Sequence, residues 1–194
     1  GPTIRYVAGV APQMVASVTS IAGPTIVTDA QAAESNINKL ITQYASMTEF
    51  AGSFVAWISG NGSLPQDASA LTLKEELDDF AKRFPAGLPA TYCGEGAPVV
   101  AGIRYYSATG QGVKTNAWDV SDAILAYTGD YFKGEANDGL VGRCSSHWGK
   151  VIKDNYTWNH LDEINQVLGT IGKGSPDPVA FYVQHANRLK WAFL

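Results

Sequence analysis

The segment that most constrains the fold is Val15-Ala16-Ser17-Val18-Thr19-Ser20-Ile21, a run of β-branched and small residues closed by Gly23-Pro24. Such a run with a turn pair behind it predicts a short buried strand. It is the best parallel-strand candidate in the chain, and parallel strands are ordinarily covered on both faces and paired on both sides. Helical patterns lie on either side of it. Upstream, Gly1-Pro2 followed by Ile4, Tyr6, Val7 and Val10 reads as a short helix opened by proline in its first turn. Downstream, Ile37, Leu40, Ile41, Tyr44, Met47, Phe50, Phe54, Val55 and Ile58 recur at three- and four-residue spacing between Ala30 and Ile58. Two or more helices share that stretch, since Gly52 falls inside it and Gly60-Asn61-Gly62 ends it. Their apolar stripe is either ordinary core or a lipid-facing surface.

Farther along, Leu73 to Phe84 reads as a helix with Thr72 as N-cap, stopped by Pro85-Ala86-Gly87. Val99 to Ser107 is hairpin-like, with Ala108-Thr109-Gly110-Gln111-Gly112 as the turn. Ser121-Asp122-Ala123-Ile124 starts a short helix, and Tyr131 to Tyr156, rich in Gly, Asn, Asp and Ser, reads as display loop. Leu161 to Leu168 and Pro178 to Trp191 read as the last two helices. With 45% hydrophobic and 16% charged residues, 194 residues can bury one core, and no repeat or linker divides them.

Composition narrows the function classes. A net charge of -4 without any Lys or Arg cluster argues against nucleic acid and anionic membranes as partners. No apolar run approaches the roughly 20 residues that span a bilayer. The opening is not a basic-then-apolar leader, so a processed or truncated start is expected. Cys93 and Cys144 lie in no zinc spacing. They are either two separate buried thiols or one bridge closing a loop of about 50 residues, worth roughly 4 kcal/mol and implying an oxidising compartment.

Three histidines could carry chemistry. His185, mid-helix, reads as packed or solvent-facing, and His147, after Ser145-Ser146, is open either way. His160 precedes a helix whose first turn carries Asp162 and Glu163. Asp138, in Asn137-Asp138-Gly139, is on local grounds a turn residue. Its functional reading is a loop carboxylate presented to the Nδ1 of a later histidine.

These residues lie in longer motifs. Asn137-Asp138-Gly139-Leu140-Val141-Gly142-Arg143-Cys144-Ser145-Ser146 and Trp158-Asn159-His160-Leu161-Asp162-Glu163-Ile164-Asn165-Gln166 resemble the C-terminal signature of the Pseudomonas and Burkholderia true lipases. So do Cys93-Gly94-Glu95-Gly96, the tail Tyr182 to Lys190 and the opening Gly1 to Ala8. The resemblance implies the C-terminal part of an α/β-hydrolase fold in one domain: residues 1–29 as post-elbow helix and strand, 30–64 as lid-type helices, and 65–194 as the remainder. It implies Asp138 as triad acid, His160 as general base, and a Cys93–Cys144 disulfide. It also implies one structural calcium ion held by Asp119, Asp162 and the carbonyls of Gln166 and Thr170, although the Asp119–Asp138 spacing is one residue short of the pattern.

The family's elbow reads G-H-S-x-G-G and its final glycine matches Gly1, so the nucleophilic serine and both oxyanion donors are expected outside this sequence. The implied function is triacylglycerol hydrolysis at a lipid interface by a protein secreted through the periplasm, with an N-terminal half, a lipase foldase or a second copy as partners. Two other readings compete. One is a non-catalytic, calcium-containing module binding lipid or protein through residues 37–58. The other is a hydrolase that recruits Ser20, Ser145 or Ser146, provided that serine lies within hydrogen-bond reach of His160. An exposed edge on the strand at residues 15–21 adds an expectation of dimerisation, rearrangement or partner binding.

Overall fold

The computed structural model describes residues 2–25, 79–132 and 134–194. Among them, one sheet contains β1 (Ser17–Ile21), β2 (Val99–Val100), β3 (Ile103–Gly110) and β4 (Lys150–Tyr156). β1 runs parallel to β3, from Ser17 opposite Arg104 to Ile21 opposite Ala108. β4 is also parallel to β3, from Tyr106 opposite Lys150 to Gly110 opposite Tyr156, with irregular register between Ser107 and Gly110. Successive amides of β3 point to opposite edges: Arg104 N–H donates to the Ala16 carbonyl and Tyr105 N–H to the Pro98 carbonyl. β1 therefore occupies one edge of β3, while β2 and then β4 share the other. β3 is the central strand, and every residue in it but Arg104 is buried.

Parallel strands call for covering helices, and α1 (Pro2–Val10), α2 (Asp122–Gly129) and α3 (Pro178–Trp191) form where the sequence pattern placed them. α3 has complete end signals: the Asp177 side chain accepts from Val179 N–H, Pro178 opens the first turn, and Arg188 and Lys190 close the last. Residues 79–83 are helical and end at the expected Pro85-Ala86-Gly87 stop, where Gly87 has φ of +76°. The lid-type helices expected over residues 30–64 lie outside the described residues, as does the start of the helix expected from Leu73.

Three expectations are corrected. The hairpin turns at Ala101-Gly102, not at Ala108 to Gly112, with both turn residues at positive φ (+49° and +82°), the geometry that matches strand twist in two-residue hairpins. Ala108-Thr109-Gly110 reads as a turn by composition but is the buried end of β3. Small side chains are required there because a Cβ on Gly110 would collide with the Trp158 carbonyl. Second, Lys150–Tyr156, read as loop, is strand β4. It is only half-buried and carries Lys150, Lys153 and Asp154, the charged composition of a lightly covered strand. Third, Leu161 to Leu168 is not one helix but two 3-10 turns, Asp162–Ile164 and Val167–Gly169. Asn165, Val167 and Leu168 there take φ of +53°, +53° and +60°, which no continuous helix allows.

Two aromatic clusters fix the ends of β3. Toward its start, Trp148 packs on Tyr105, Ile103, Val18 and Leu88, and its indole N–H donates to the Ala86 carbonyl at 2.8 Å. Toward its end, Trp158 stacks on Tyr156 at 3.8 Å and donates to the Pro176 carbonyl at 2.7 Å. Each indole is 1% exposed, so its apolar area is buried without leaving the N–H unpaired. α3 packs Phe181 into the Trp158 cluster and His185 against Tyr106. Since a guanidinium only donates, Arg188 fixes His185 Nδ1 as acceptor, and His185 Nε2–H donates to Thr19 Oγ1 at 2.7 Å. His185 is therefore packed, and burial followed by the Arg188 charge lowers its pKa. Cys93 and Cys144 are joined by a disulfide. Beside it the His147 ring spans the Gly94 carbonyl and the Asp154 carboxylate, a structural clasp.

Candidate active site

The chain leaves β4 through Thr157-Trp158-Asn159 and reaches His160 above the ends of the parallel strands. Asn159 is fully buried and organises this exit: its side-chain carbonyl accepts from Leu161 and Asp162 N–H at 2.8 Å each, and its amide donates to Asp122 Oδ1 at 2.9 Å. The Asn137-Asp138-Gly139 turn is built the same way. Asn137 Oδ1 accepts from Gly139 N–H at 2.9 Å, and Gly139 takes φ of +99°, a conformation open to glycine. The motif is the turn that its composition predicts.

The two loops meet. His160 N–H donates to the Asp138 backbone carbonyl at 2.8 Å, and His160 Nδ1 donates to Asp138 Oδ2 at 2.7 Å. Asp138 is 0% exposed and its other oxygen, Oδ1, accepts from the N–H groups of Leu140 and Val141 at 2.9 and 2.7 Å. Three donors thus hold one carboxylate in one orientation. Burial alone would lower the His160 pKa, but the charge and hydrogen bond of Asp138, joined by the charge of Glu163, raise it to about 9. With Nδ1 committed to the aspartate, Nε2 is the ring nitrogen left to exchange a proton.

Sequence reading gave Glu163 no role, yet it stands beside this pair. One ligand atom from each of Asp138, His160 and Glu163 falls within 4.8 Å of the others. Glu163 is 2% exposed, and its Oε1 accepts from Gly110 N–H and Thr109 Oγ1. Burial, and then the Asp138 charge, push its pKa well up against the opposing pull of His160 and those donors. Its position three residues after His160 was the available signal. The cluster could hold a cation by its donor set, but the direct Nδ1–Oδ2 bond already uses the imidazole and one carboxylate oxygen on each other.

A second acidic group lies under the same loop. Asp119 Oδ1 accepts from Ser121 N–H and Oγ, and Asp162 Oδ2 accepts from Asn159 N–H. Their other oxygens, Asp119 Oδ2 and Asp162 Oδ1, are buried with no hydrogen-bond partner. Burial raises the Asp162 pKa, and the charges of Asp119 and Asp122 push the same way against hydrogen bonds from Asn159 and Thr115. Asp122, missed in the sequence, accepts from the N–H groups of Thr115 and Asn116 at 2.7 and 2.8 Å. Gln166 and Thr170 flank the 3-10 turn that follows, Gln166 N–H donating to the Leu161 carbonyl at 3.0 Å. Ser20, Ser145 and Ser146 are all buried, and none of them bonds to His160, whose side chain bonds only to Asp138 among the described residues.

Comparison with known proteins agrees on one kind of relative. A triacylglycerol lipase of Vibrio cholerae is 46% identical over 202 residues, covering 100% of this chain and 64% of its own length. One from Pseudomonas fragi is 36% identical, covering 99% of this chain and 70% of its own length, and one from Pseudarthrobacter phenanthrenivorans is 37% identical, at 98% and 71%. The chain thus spans somewhat under two thirds of the Vibrio relative. No family model matches the chain.

Proposed function

Because the chain belongs to the bacterial triacylglycerol lipases, we propose that it supplies the acid and base of acylglycerol hydrolysis, with Asp138 orienting His160. The observation that carries this reading is the 2.7 Å contact between His160 Nδ1 and a fully buried Asp138. In the proposed reaction His160 Nε2 takes the proton of a serine hydroxyl as it attacks the ester carbonyl, then returns it to the leaving alcohol. Asp138 keeps the tautomer and stabilises the imidazolium. The serine in this proposal is that of the family's elbow motif. Glu163 lies close enough to add negative potential to the same imidazolium.

We further propose that Asp119 and Asp162, with the Gln166 and Thr170 carbonyls, hold calcium. Two buried carboxylate oxygens without partners suit a hard divalent cation, because an uncompensated buried carboxylate is costly. A bound ion would supply structural charge compensation. Asp162 is two residues from His160, so what fixes Asp162 also fixes the base. The disulfide and the family's secreted character fit an extracytoplasmic location, and no helix among the described residues is long and apolar enough to cross a membrane.

The test is hydrolysis of a triacylglycerol emulsion by a polypeptide carrying G-H-S-x-G-G ending at Gly1, its preceding region taken from the Vibrio relative, with fluorophosphonate labelling of the serine. Labelling and turnover that are lost together in His160→Ala support the proposal. Turnover that survives His160→Ala contradicts it, and a properly folded polypeptide without turnover would favour a binding module.

A further inference from the structure

Arg5 of α1 is a charged side chain in the wrong place for one: it is 7% exposed. One terminal nitrogen donates to the Phe84 carbonyl at 2.8 Å, and the guanidinium carbon lies 4.9 Å from the centre of the Phe80 ring. A second nitrogen is not answered. Nε is buried without a partner, and among the described residues no carboxylate pairs with Arg5. Burial lowers its pKa to about 10, which leaves it cationic at neutral pH. A buried cation to which the described residues bring no anion is costly unless something of opposite charge arrives.

A cavity of about 360 Å³ lies beside it. Arg5 forms part of the wall, together with Phe84, Leu88, Val100, Tyr105 and Trp148. The volume falls in the usual range for small-molecule sites, roughly 300–1,000 Å³, and the composition of apolar walls with a few placed polar groups is theirs too. Arg83, exposed and paired with Asp79 at 3.3 Å, stands at the rim. Along β3, five residues separate Tyr105 on this cavity from Gly110 under Glu163, about 16 Å at strand rise. The cavity therefore lies toward the opposite end of β3 from His160.

We propose that this cavity binds an aliphatic monocarboxylate, its carboxylate on Arg5 and its chain against Phe84, Leu88 and Trp148. With Arg83 already paired with Asp79, the one unpaired guanidinium among the described residues of the wall, that of Arg5, matches one carboxylate in charge and fork geometry, whereas a phosphate would bring more charge and more acceptors than it can answer. The aromatic and aliphatic wall selects a chain over a small hydrophilic acid such as acetate. Hydrolysis of acylglycerols releases molecules of this class, but the assignment does not rest on that reading, since occupancy is measured without turnover.

The experiment is calorimetric titration of acetate, butyrate, hexanoate, octanoate and 1-octanol into the purified chain. Octanoate should bind one site per chain, with affinity rising about fourfold per methylene from butyrate to hexanoate as apolar surface is buried. Octanol, lacking the charge, should bind at least tenfold more weakly. Arg5→Met, which keeps the apolar stem, should weaken octanoate at least tenfold and leave octanol unchanged. If Arg5→Met does not fold, Ala97→Phe, at an exposed rim position, should block octanoate without disturbing the core. Absence of saturable octanoate binding, octanol binding as tightly as octanoate, or octanoate affinity untouched by these substitutions would overturn the proposal, and acetate binding as tightly as octanoate would remove the chain from it.

Discussion

At the C-terminal end of β3, Asp119, Asp122, Asp138, Asp162 and Glu163 are each 8% exposed or less, whereas at its N-terminal end the buried charge is the guanidinium of Arg5. The acidic end is dense with donors: backbone N–H groups, hydroxyls, the Asn159 amide and the His160 ring answer most of its carboxylate oxygens. The basic end is sparse and apolar, offering one carbonyl and aromatic faces. Among the described residues, the buried polar side-chain atoms left without partners are Asp119 Oδ2, Asp162 Oδ1 and Arg5 Nε. Native folds rarely leave such atoms unanswered, so each marks a place to ask what binds. One strand thus carries unanswered buried groups of opposite sign at its two ends: two carboxylate oxygens at one and a guanidinium nitrogen at the other.

The largest expected effect breaks the acidic end alone. In a catalytically competent polypeptide, Asp138→Asn should lower turnover by about 10⁴-fold, because asparagine donates to Nδ1 and leaves Nε2 in the wrong tautomer. Octanoate affinity, measured in parallel, should not move. A smaller effect separates metal from scaffold. Calcium at about 100 times its Kd adds about 2.7 kcal/mol, which for a domain of this size is a Tm shift of roughly 5–10 °C. EGTA should reverse that shift, and Asp162→Asn should be indifferent to both; a wild-type Tm blind to calcium would break the comparison.

Smaller still is the coupling between the ends. Sites about 16 Å apart with no shared partners should stabilise additively, within about 0.5 kcal/mol, when calcium and octanoate are added singly and together in a calorimetric scan. Larger coupling would mean that β3 transmits strain from one end to the other.

The smallest effect concerns His185, midway between the ends and fully paired by Thr19 and Arg188. Its pKa is lowered in the fold, so it contributes stability above the ordinary imidazole value of 6.5 that is lost as pH falls below it. Urea unfolding at pH 8 and pH 5 should show a smaller pH difference in His185→Gln than in wild type.

How much of this was legible in the residues depends on the kind of signal. α3 was legible because Asp177-Pro178 and a basic last turn are local instructions, and β1 because a β-branched run closed by Gly-Pro needs no tertiary information. β4 was not, since a half-covered strand bearing Lys150, Lys153 and Asp154 has lost the alternation that identifies strands. The end of β3 was misread for the opposite reason: Ala108, Thr109 and Gly110 have turn composition because neighbours press against them. At the site, residue chemistry alone left Asp138 a turn and His160 one of three histidines, and longer motif resemblance paired them. Glu163, Asp122 and Arg5 went unnoticed because their significance lies in burial and in missing or unexpected partners, which spacing does not encode.

The two unanswered carboxylate oxygens of Asp119 and Asp162 tie the proposed metal to the loop that carries His160. Titration of calcium into the chelator-treated chain should give one saturable site per molecule, abolished by Asp162→Asn and weakened by Asp119→Asn, with the folded state of each variant checked by its near-ultraviolet circular dichroism. Calcium that does not bind the folded wild-type chain, or binds the Asp162→Asn variant equally well, would contradict it.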